Sequence, residues 1–484
     1  MNPPSQRRPV QRLGLWLGAA IFAAMLILPE PAGFLPTAWR AAALTLLMAV
    51  WWATEALPIA ATSILPLAAG PLLGIVGVEE AGKGYGSSTI FLILGGCLLG
   101  LALERSQLHR RIAYAIVEVA GTSARSLVLG VMAATAFVSM WVSNTSTTLM
   151  MLPVATSIAV LVAPEHESAT AERRHFSTAV VVGVAYAATI GGLGTLIGTP
   201  TNALAVAFLA QNYSIRVGFA DWLLVGLPCV LLLLPLGWWI LVRYTHPFEI
   251  ADIAQARAVV RRERESLGPL AASERRVAVI FAAAASAWIA SPWLRVLPGL
   301  AGLSDMGISM LAGLALFIVP AGRSESGALL EGRDLRRVPW DMLFLFGGGL
   351  ALAALIQDSG LSQRIGEWLA AFAGWPAWLL TIAVVLLLVF WTELSSNVAT
   401  AATFMPILAA LATAAGMPLL QLIIPAAMAA SCGFMLPVGT APNAIVYGSG
   451  RVSMRDMMRA GLPLDILAAV VVVAVSAVAL RWLV

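Results

Sequence analysis

No charged residue occurs between Ser126 and Ala163, yet the middle of that run reads Ser139-Met140-Trp141-Val142-Ser143-Asn144-Thr145-Ser146-Thr147-Thr148. Polar, non-helical backbone is tolerated at membrane depth only where it is buried in protein or lines a cavity. The polar segment lies midway along the run. A re-entrant hairpin with its tip near the midplane therefore fits better than two full spans. A second copy follows 253 residues downstream: Trp391-Thr392-Glu393-Leu394-Ser395-Ser396-Asn397-Val398-Ala399-Thr400. The same offset superposes Phe91 on Phe344, Gly95 on Gly348, Ser106 on Ser359, Arg111 on Arg364, Gly121 on Gly374, Thr147 on Thr400 and Pro153 on Pro406. A gap-free register of that length marks an internal duplication.

Each copy is followed by a second interruption. Gly198-Thr199-Pro200-Thr201-Asn202-Ala203 aligns with Gly439-Thr440-Ala441-Pro442-Asn443-Ala444, and Gly192 with Gly433, at an offset of 241. The polar loop Pro164–His175 absorbs the difference. Discontinuous helices in repeated halves are the pattern of secondary transporters, where freed backbone groups hold substrate and ions. Gly and Pro release carbonyls, while Ser, Thr and Asn add neutral oxygens that suit a hard monovalent cation. Helix N-termini beside them suit an anion. Small and polar residues also serve close helix packing, but two tips and two breaks duplicated in register exceed that need. Neither tip nor either break contains Lys or Arg. A charge at the centre of a membrane helix costs roughly 2.5–3.5 kcal/mol, so co-bound cations would offset a dianion there. Two similar half-sites suggest two cation positions flanking one anion.

Composition agrees with a polytopic membrane protein: 60% apolar and 11% charged, against about 25% charged in soluble domains. The chain is expected to be all-α, with an inverted repeat of about eleven spans of ~20 residues, two opposed re-entrant hairpins and two broken helices. Expected full spans are Leu13–Leu28, Trp39–Ala56, Pro58–Val76, Ser88–Leu103, Phe219–Tyr244, Val277–Leu294, Met306–Pro320, Trp340–Ile356 and Leu462–Leu480. Interfacial amphipathic helices are expected at Ile112–Ala120, headed by Arg110 and Arg111, and at Leu361–Ala373. Val78–Gly86 reads as a loop and His246–Arg276 as a solvated linker helix. The basic loops share one side if the N-terminus is cytoplasmic, which puts the C-terminus outside. The net charge of +4 is dispersed in loops and carries no nucleic-acid signal. Cys97, Cys229 and Cys432 read as core residues, and His109, His166, His175 and His246 fall in loops or at loop edges. No Ser/His/Asp set or metal cluster lies at membrane depth, which argues against an enzyme.

Ser143-Asn144-Thr145, Ser396-Asn397-Val398, the two Gly-Thr-x-x-Asn breaks and Trp51-Trp52-Ala53-Thr54-Glu55-Ala56-Leu57-Pro58 resemble the divalent-anion:sodium symporter family over essentially the whole chain. The resemblance implies a homodimer in a cell inner (plasma) membrane, with an elevator mechanism. Scaffold would be 1–120 and 277–375, transport domain 121–245 and 376–484, and cytoplasmic linker 246–276. It implies sodium-coupled import of C4-dicarboxylates, with tricarboxylates or sulfate as alternatives. By motif match one sodium meets Ser139, Ser143, Asn144 and Gly198, and a second meets Thr392, Ser395, Asn397 and Gly439. The anion meets Ser143, Asn144, Thr145, Thr199, Ser396, Asn397 and Thr440. Val398 and Ala441 depart from the usual Thr and Pro, both in the second half of the anion site. Glu55 reads as tying a scaffold turn, and Glu393 as a buried group shaping the second tip. A sodium-independent exchanger or proton-coupled carrier on the same fold is the principal rival. A channel is disfavoured because no polar stripe joins the tips through the remaining spans.

Overall fold

The computed structural model describes residues 9–120, 123–163, 170–250, 254–322, 327–372 and 374–482. Met1 to Arg8 of the basic N-terminus, Gly121 of the repeat register, residues 164–169 with His166, Arg323 and Ala373 lie outside the described residues.

Nine helices among the described residues are long and apolar enough to cross a membrane, or ten if one bent pair counts as a span. That is fewer than the eleven expected: the nine include the hairpin arms Asn144–Val162 and Asn397–Ala414 but not Pro36–Thr54, and two further expected spans are short. Pro58–Val76 forms two small helices, Ile59–Ser63 and Leu65–Leu72. Pro58, Pro66 and Pro71 supply no N–H to a continuous ladder. Met306–Pro320 is represented by the 14-residue helix Asp305–Ile318. Conversely, the supposed loop Val78–Gly86 is helical, as Val78–Lys83 and a 3₁₀ turn at Gly84–Gly86 that run into Ser88–Arg105. Glu79 and Glu80 sit in its first turn and Lys83 in its last, which complements the helix dipole.

Both segments expected at the interface are helical. Leu108–Val119 and Leu361–Leu369 are each entered through a left-handed residue, Gln107 at φ 61° and Gly360 at φ 81°. These two positions are partners in the 253-residue register, so the duplication preserves a sharp turn as well as a composition. Arg110 and Arg111 lie inside the first helix rather than heading it. They pair with Glu263 at 3.3 Å and Glu274 at 2.8 Å. The linker is therefore docked: helix Ala254–Ser266 packs on Leu108–Val119, and Arg275 and Arg276 already belong to the span Ala272–Leu294. His109 and His175 lie near the starts of the helices Leu108–Val119 and Ala171–Gly192, and His109 is buried with Nδ1 2.7 Å from the Leu103 carbonyl. Arg455 and Arg459 lie in the last long helix, Met454–Ala479.

Each polar knot joins two helices, Ala124–Ser139 to Asn144–Val162 and Ala377–Thr392 to Asn397–Ala414. Both helices of the first pair meet Leu108–Val119. Gly130 abuts Val117 and Ala120, while Pro153 and Ser157 share a recess with Arg110 and Tyr114. In the second pair Gly366 of Leu361–Leu369 faces Ala410 and Ala414, and a 112° bend separates Leu361–Phe372 from Ala377–Thr392. The broken helices are Ala171–Gly192 with Pro200–Tyr213, and Leu419–Ala429 with Ala441–Gly448. Ala171–Gly192 packs against both arms of the first knot, and 94% of its apolar window is buried, against 11% for the first helix, Pro9–Ile27. The helix that carries the first break thus faces protein on all sides.

Candidate functional site

The knots and breaks start helices at one place. Ser143 and Ser396 are the residues preceding Asn144–Val162 and Asn397–Ala414; Thr199 and Thr440 precede Pro200–Tyr213 and Ala441–Gly448. All four are extended rather than helical, as N-caps are. Ser143 Oγ accepts from the Ser146 N–H at 3.2 Å, and Thr440 Oγ1 from the Asn443 N–H at 3.2 Å. Pro200 and Pro442 occupy first-turn positions where a missing N–H is harmless.

Behind each tip the same hydrogen-bond triad recurs. Ser139 Oγ donates toward Asn144 Oδ1 at 2.7 Å and lies 2.8 Å from the Ala188 carbonyl; Thr392 Oγ1 stands 2.8 Å from Asn397 Oδ1 and 2.7 Å from the Ala430 carbonyl. Ser139 and Thr392 are fully buried. Each triad gathers neutral oxygens of three kinds, hydroxyl, amide and peptide, which is chemistry that can hold a hard monovalent cation. Gly192 lets the break approach: a Cβ there would lie 2.6 Å from Asn144 Oδ1. A Cβ on Gly198 would lie 2.5 Å from the Gly192 carbonyl.

The breaks are held open by two asparagines that sequence reasoning aligned but left without a role. Asn202 Nδ2 donates to the carbonyls of Gly192 at 3.1 Å and Thr195 at 2.8 Å. Asn443 Nδ2 donates to those of Gly433 at 3.2 Å and Leu436 at 3.0 Å. Both are fully buried. Their fixed place in Gly-Thr-x-x-Asn was the available signal. A further link was not legible: Ser431 hydrogen-bonds Thr201, and Thr199 at 3.4 Å, joining the first break to the second half of the chain.

The second half carries an acid where the first has Met140. Glu393 is 1% exposed, and its two oxygens accept the N–H groups of Met435 and Leu436, each at 2.7 Å. It shapes the break behind the second tip. A Cβ on Gly439 would lie 2.8 Å from Glu393 Oε2, so the glycine permits that contact.

One cavity of about 670 Å³ collects the result. Ser143, Asn144, Thr145, Gly198, Thr199, Ser396, Asn397, Gly439 and Thr440 all line it, as do Val398 and Ala441. Ser139 and Thr392 sit behind the wall, and Ser395 is half-buried without lining it. Four helix N-termini therefore face one space, and anions are favoured at such ends. Three further wall residues were not expected there. Glu104 and Arg337 line the cavity, and so does Glu55, whose backbone closes the helix Pro36–Thr54 in a left-handed turn at φ 49° while its side chain is exposed.

Residues 10–484 match the family described as the sodium:sulfate symporter transmembrane region. The sodium-dependent dicarboxylate transporter SdcS of Staphylococcus saprophyticus is 38% identical over 471 residues, covering 96% of this chain and 90% of that relative. The transporter of the same name from Staphylococcus aureus strain USA300 is 38% identical over 472 residues, with the same coverage. Among solved structures, the Alcanivorax borkumensis YdaH transporter superposes with a TM-score of 0.56 at 14% identity, over 98% of this chain and 99% of that one.

Proposed function

We infer, since this chain belongs to the sodium:sulfate symporter family, that it imports C4-dicarboxylates such as succinate with sodium as the co-transported ion. The family consists of transporters, not enzymes. The observation that carries the reading is the pair of repeated oxygen triads behind four helix N-termini that open on one cavity. The dicarboxylate name of the 38%-identical relatives favours that anion over sulfate or citrate.

In this reading one sodium lies with Ser139, Ser143, Asn144 and Gly198. The other lies with Thr392, Ser395, Asn397 and Gly439. The anion takes donors from Ser143, Asn144, Thr145, Thr199, Ser396, Asn397 and Thr440. Asn144 and Asn397 serve ion and anion together, which couples their binding. Two knots in register, each returning to its own interfacial helix, support re-entrant hairpins in an inverted repeat. The transport domain, 121–245 with 376–484, would move as an elevator against a scaffold of 1–120 and 277–375 in a homodimer. The basic residues support a cytoplasmic N-terminus and an outer C-terminus in a cell inner membrane.

Uptake of labelled succinate, citrate and sulfate into proteoliposomes, with and without an inward sodium gradient, tests the function. Succinate accumulation driven by sodium is expected. Undiminished succinate counterflow in sodium-free buffer would favour an exchanger or proton-coupled carrier on this fold instead.

A further inference from the structure

The cavity wall described above is neutral apart from Glu55, Glu104 and Arg337. Glu104 is the penultimate residue of the helix Ser88–Arg105, and Arg337 ends the 3₁₀ turn Gly332–Arg337. Arg337 Nη2 donates to Glu104 Oε1 at 2.5 Å, with side-chain exposures of 47% and 31%. Among the described residues Arg337 is the one basic side chain lining the cavity, and Glu104 is its one partner. The neighbouring turn is fixed rather than loose. Arg105 binds Asp334 at 2.5 Å and Glu331 at 2.9 Å, and Asp334 also accepts the Glu331 N–H at 2.8 Å. A guanidinium carries five N–H donors in a planar fork. One bond to Glu104 leaves donors available toward the cavity, and the pair is exposed enough for its partner to be exchanged.

We propose that Arg337 is a second, peripheral anion station at the mouth of this cavity, where a carboxylate of the carried anion exchanges with Glu104 for the guanidinium. The proposal rests on the reading that a carboxylate anion binds between the tips. The tips offer neutral hydroxyl, amide and backbone donors; Arg337 offers a charged fork that matches a carboxylate in two hydrogen bonds. An anion leaving the tips meets a cation at the exit, and one entering from that side is caught before it reaches them. Glu104 holds the fork in place when no anion is present and competes when one is. The station acts on one face of the protein, so it sets affinity on that face alone.

Cys97 provides a reporter. It is half-buried and lines the same cavity, while Cys229 and Cys432 are buried. The full-length protein carrying Asn144→Ala, which removes the tip site, is alkylated with a maleimide in rising succinate, citrate or chloride. Succinate and citrate should still slow the reaction at Cys97. Adding Arg337→Gln should raise the half-protecting concentration about tenfold or more, the loss expected for a hydrogen bond to a charged group. Glu104→Gln should lower it by up to about fivefold, as loss of an exposed ion-pair competitor allows. In otherwise wild-type proteoliposomes, Arg337→Gln should raise the KM for succinate on the Arg337 side and leave sodium dependence and the opposite-side KM unchanged. Arg337→Lys, which keeps the charge and loses the fork, should fall between. Protection that ignores Arg337, equal protection by chloride, or equal KM changes on both faces would each overturn the proposal. Failure of the wild type to carry succinate would remove the functional reading, while Arg337-dependent protection of Cys97 would be read on its own.

Discussion

The two buried asparagines of the breaks permit a prediction with a magnitude. Asn443 donates its side-chain amide to two carbonyls at the helix interruption, at 3.0 and 3.2 Å, and Asn202 to three, at 2.8, 3.1 and 3.4 Å. A buried polar group left unsatisfied costs about 1–3 kcal/mol. Loss of one amide strands the Gly192 or the Gly433 carbonyl, while Thr195 O keeps the Gly198 N–H at 3.4 Å, Leu436 O the Gly439 N–H at 3.2 Å and Leu193 O the Trp222 indole at 3.0 Å, so removal should cost roughly 1–3 kcal/mol. Asn202→Asp and Asn443→Asp are the cleaner perturbations. They keep the side-chain shape, so no cavity contributes, and they replace the donor with an acceptor facing carbonyl oxygens. The assay is thermal unfolding of the purified protein with and without sodium and succinate, alongside sodium-dependent uptake. Both variants should lose several degrees of thermal midpoint by similar amounts, because the two halves use the same arrangement, and both should lose most transport. Asn202→Ala and Asn443→Ala should be at least as damaging, since a small void adds to the lost bonds. Wild-type melting and wild-type sodium affinity in either aspartate variant would refute the idea that these amides hold the breaks.

Asn144→Ala and Asn397→Ala should each abolish sodium-driven uptake while the protein still elutes as a folded species on size exclusion; near-normal uptake at saturating sodium would remove that residue from the site. Val398→Thr adds a hydroxyl where the repeat partner Thr145 has one, and a hydrogen bond to a charged group is worth about 1.5–3 kcal/mol. The apparent affinity for succinate should therefore rise about tenfold with sodium dependence unchanged, and a uniform loss across succinate, citrate and sulfate would contradict it. Glu393→Gln keeps one acceptor for the Met435 and Leu436 N–H groups, whereas Glu393→Met, the residue of the first half, keeps none. Stability should fall in that order by thermal melt, and a Met variant as stable as wild type would show that the acid does not shape the break.

The polar tips and breaks of the candidate site are legible in the sequence, and the reason is local. Desolvation makes a polar knot conspicuous inside an apolar run, and a constant offset of 253 residues is visible in the letters alone. Gly and Pro announce an interrupted helix wherever they fall, so the four helix starts at Asn144, Pro200, Asn397 and Ala441 were readable as tips and breaks. The left-handed entry at Gln107 was less so, because its glycine partner Gly360 is the one that signals the turn. Span count failed where proline spacing cut an apolar stretch into short helices between Pro58 and Val76.

What the letters could not decide is which distant groups meet. Arg111 and Glu274 are 163 positions apart, and Arg337 and Glu104 are 233 apart. An ion pair depends on the few ångströms that folding brings about, not on any pattern within a window. The same holds for Ser431, which joins the first break across 230 residues. By itself the sequence determined a membrane-embedded duplication with neutral oxygen clusters at two tips and two breaks, because burial and backbone interruption are written into neighbouring residues. Only the tertiary structure decided that those four segments share one cavity, that Asn202 and Asn443 tie the freed carbonyls, and that Arg337 joins the cavity wall, because convergence in space leaves no trace in local spacing.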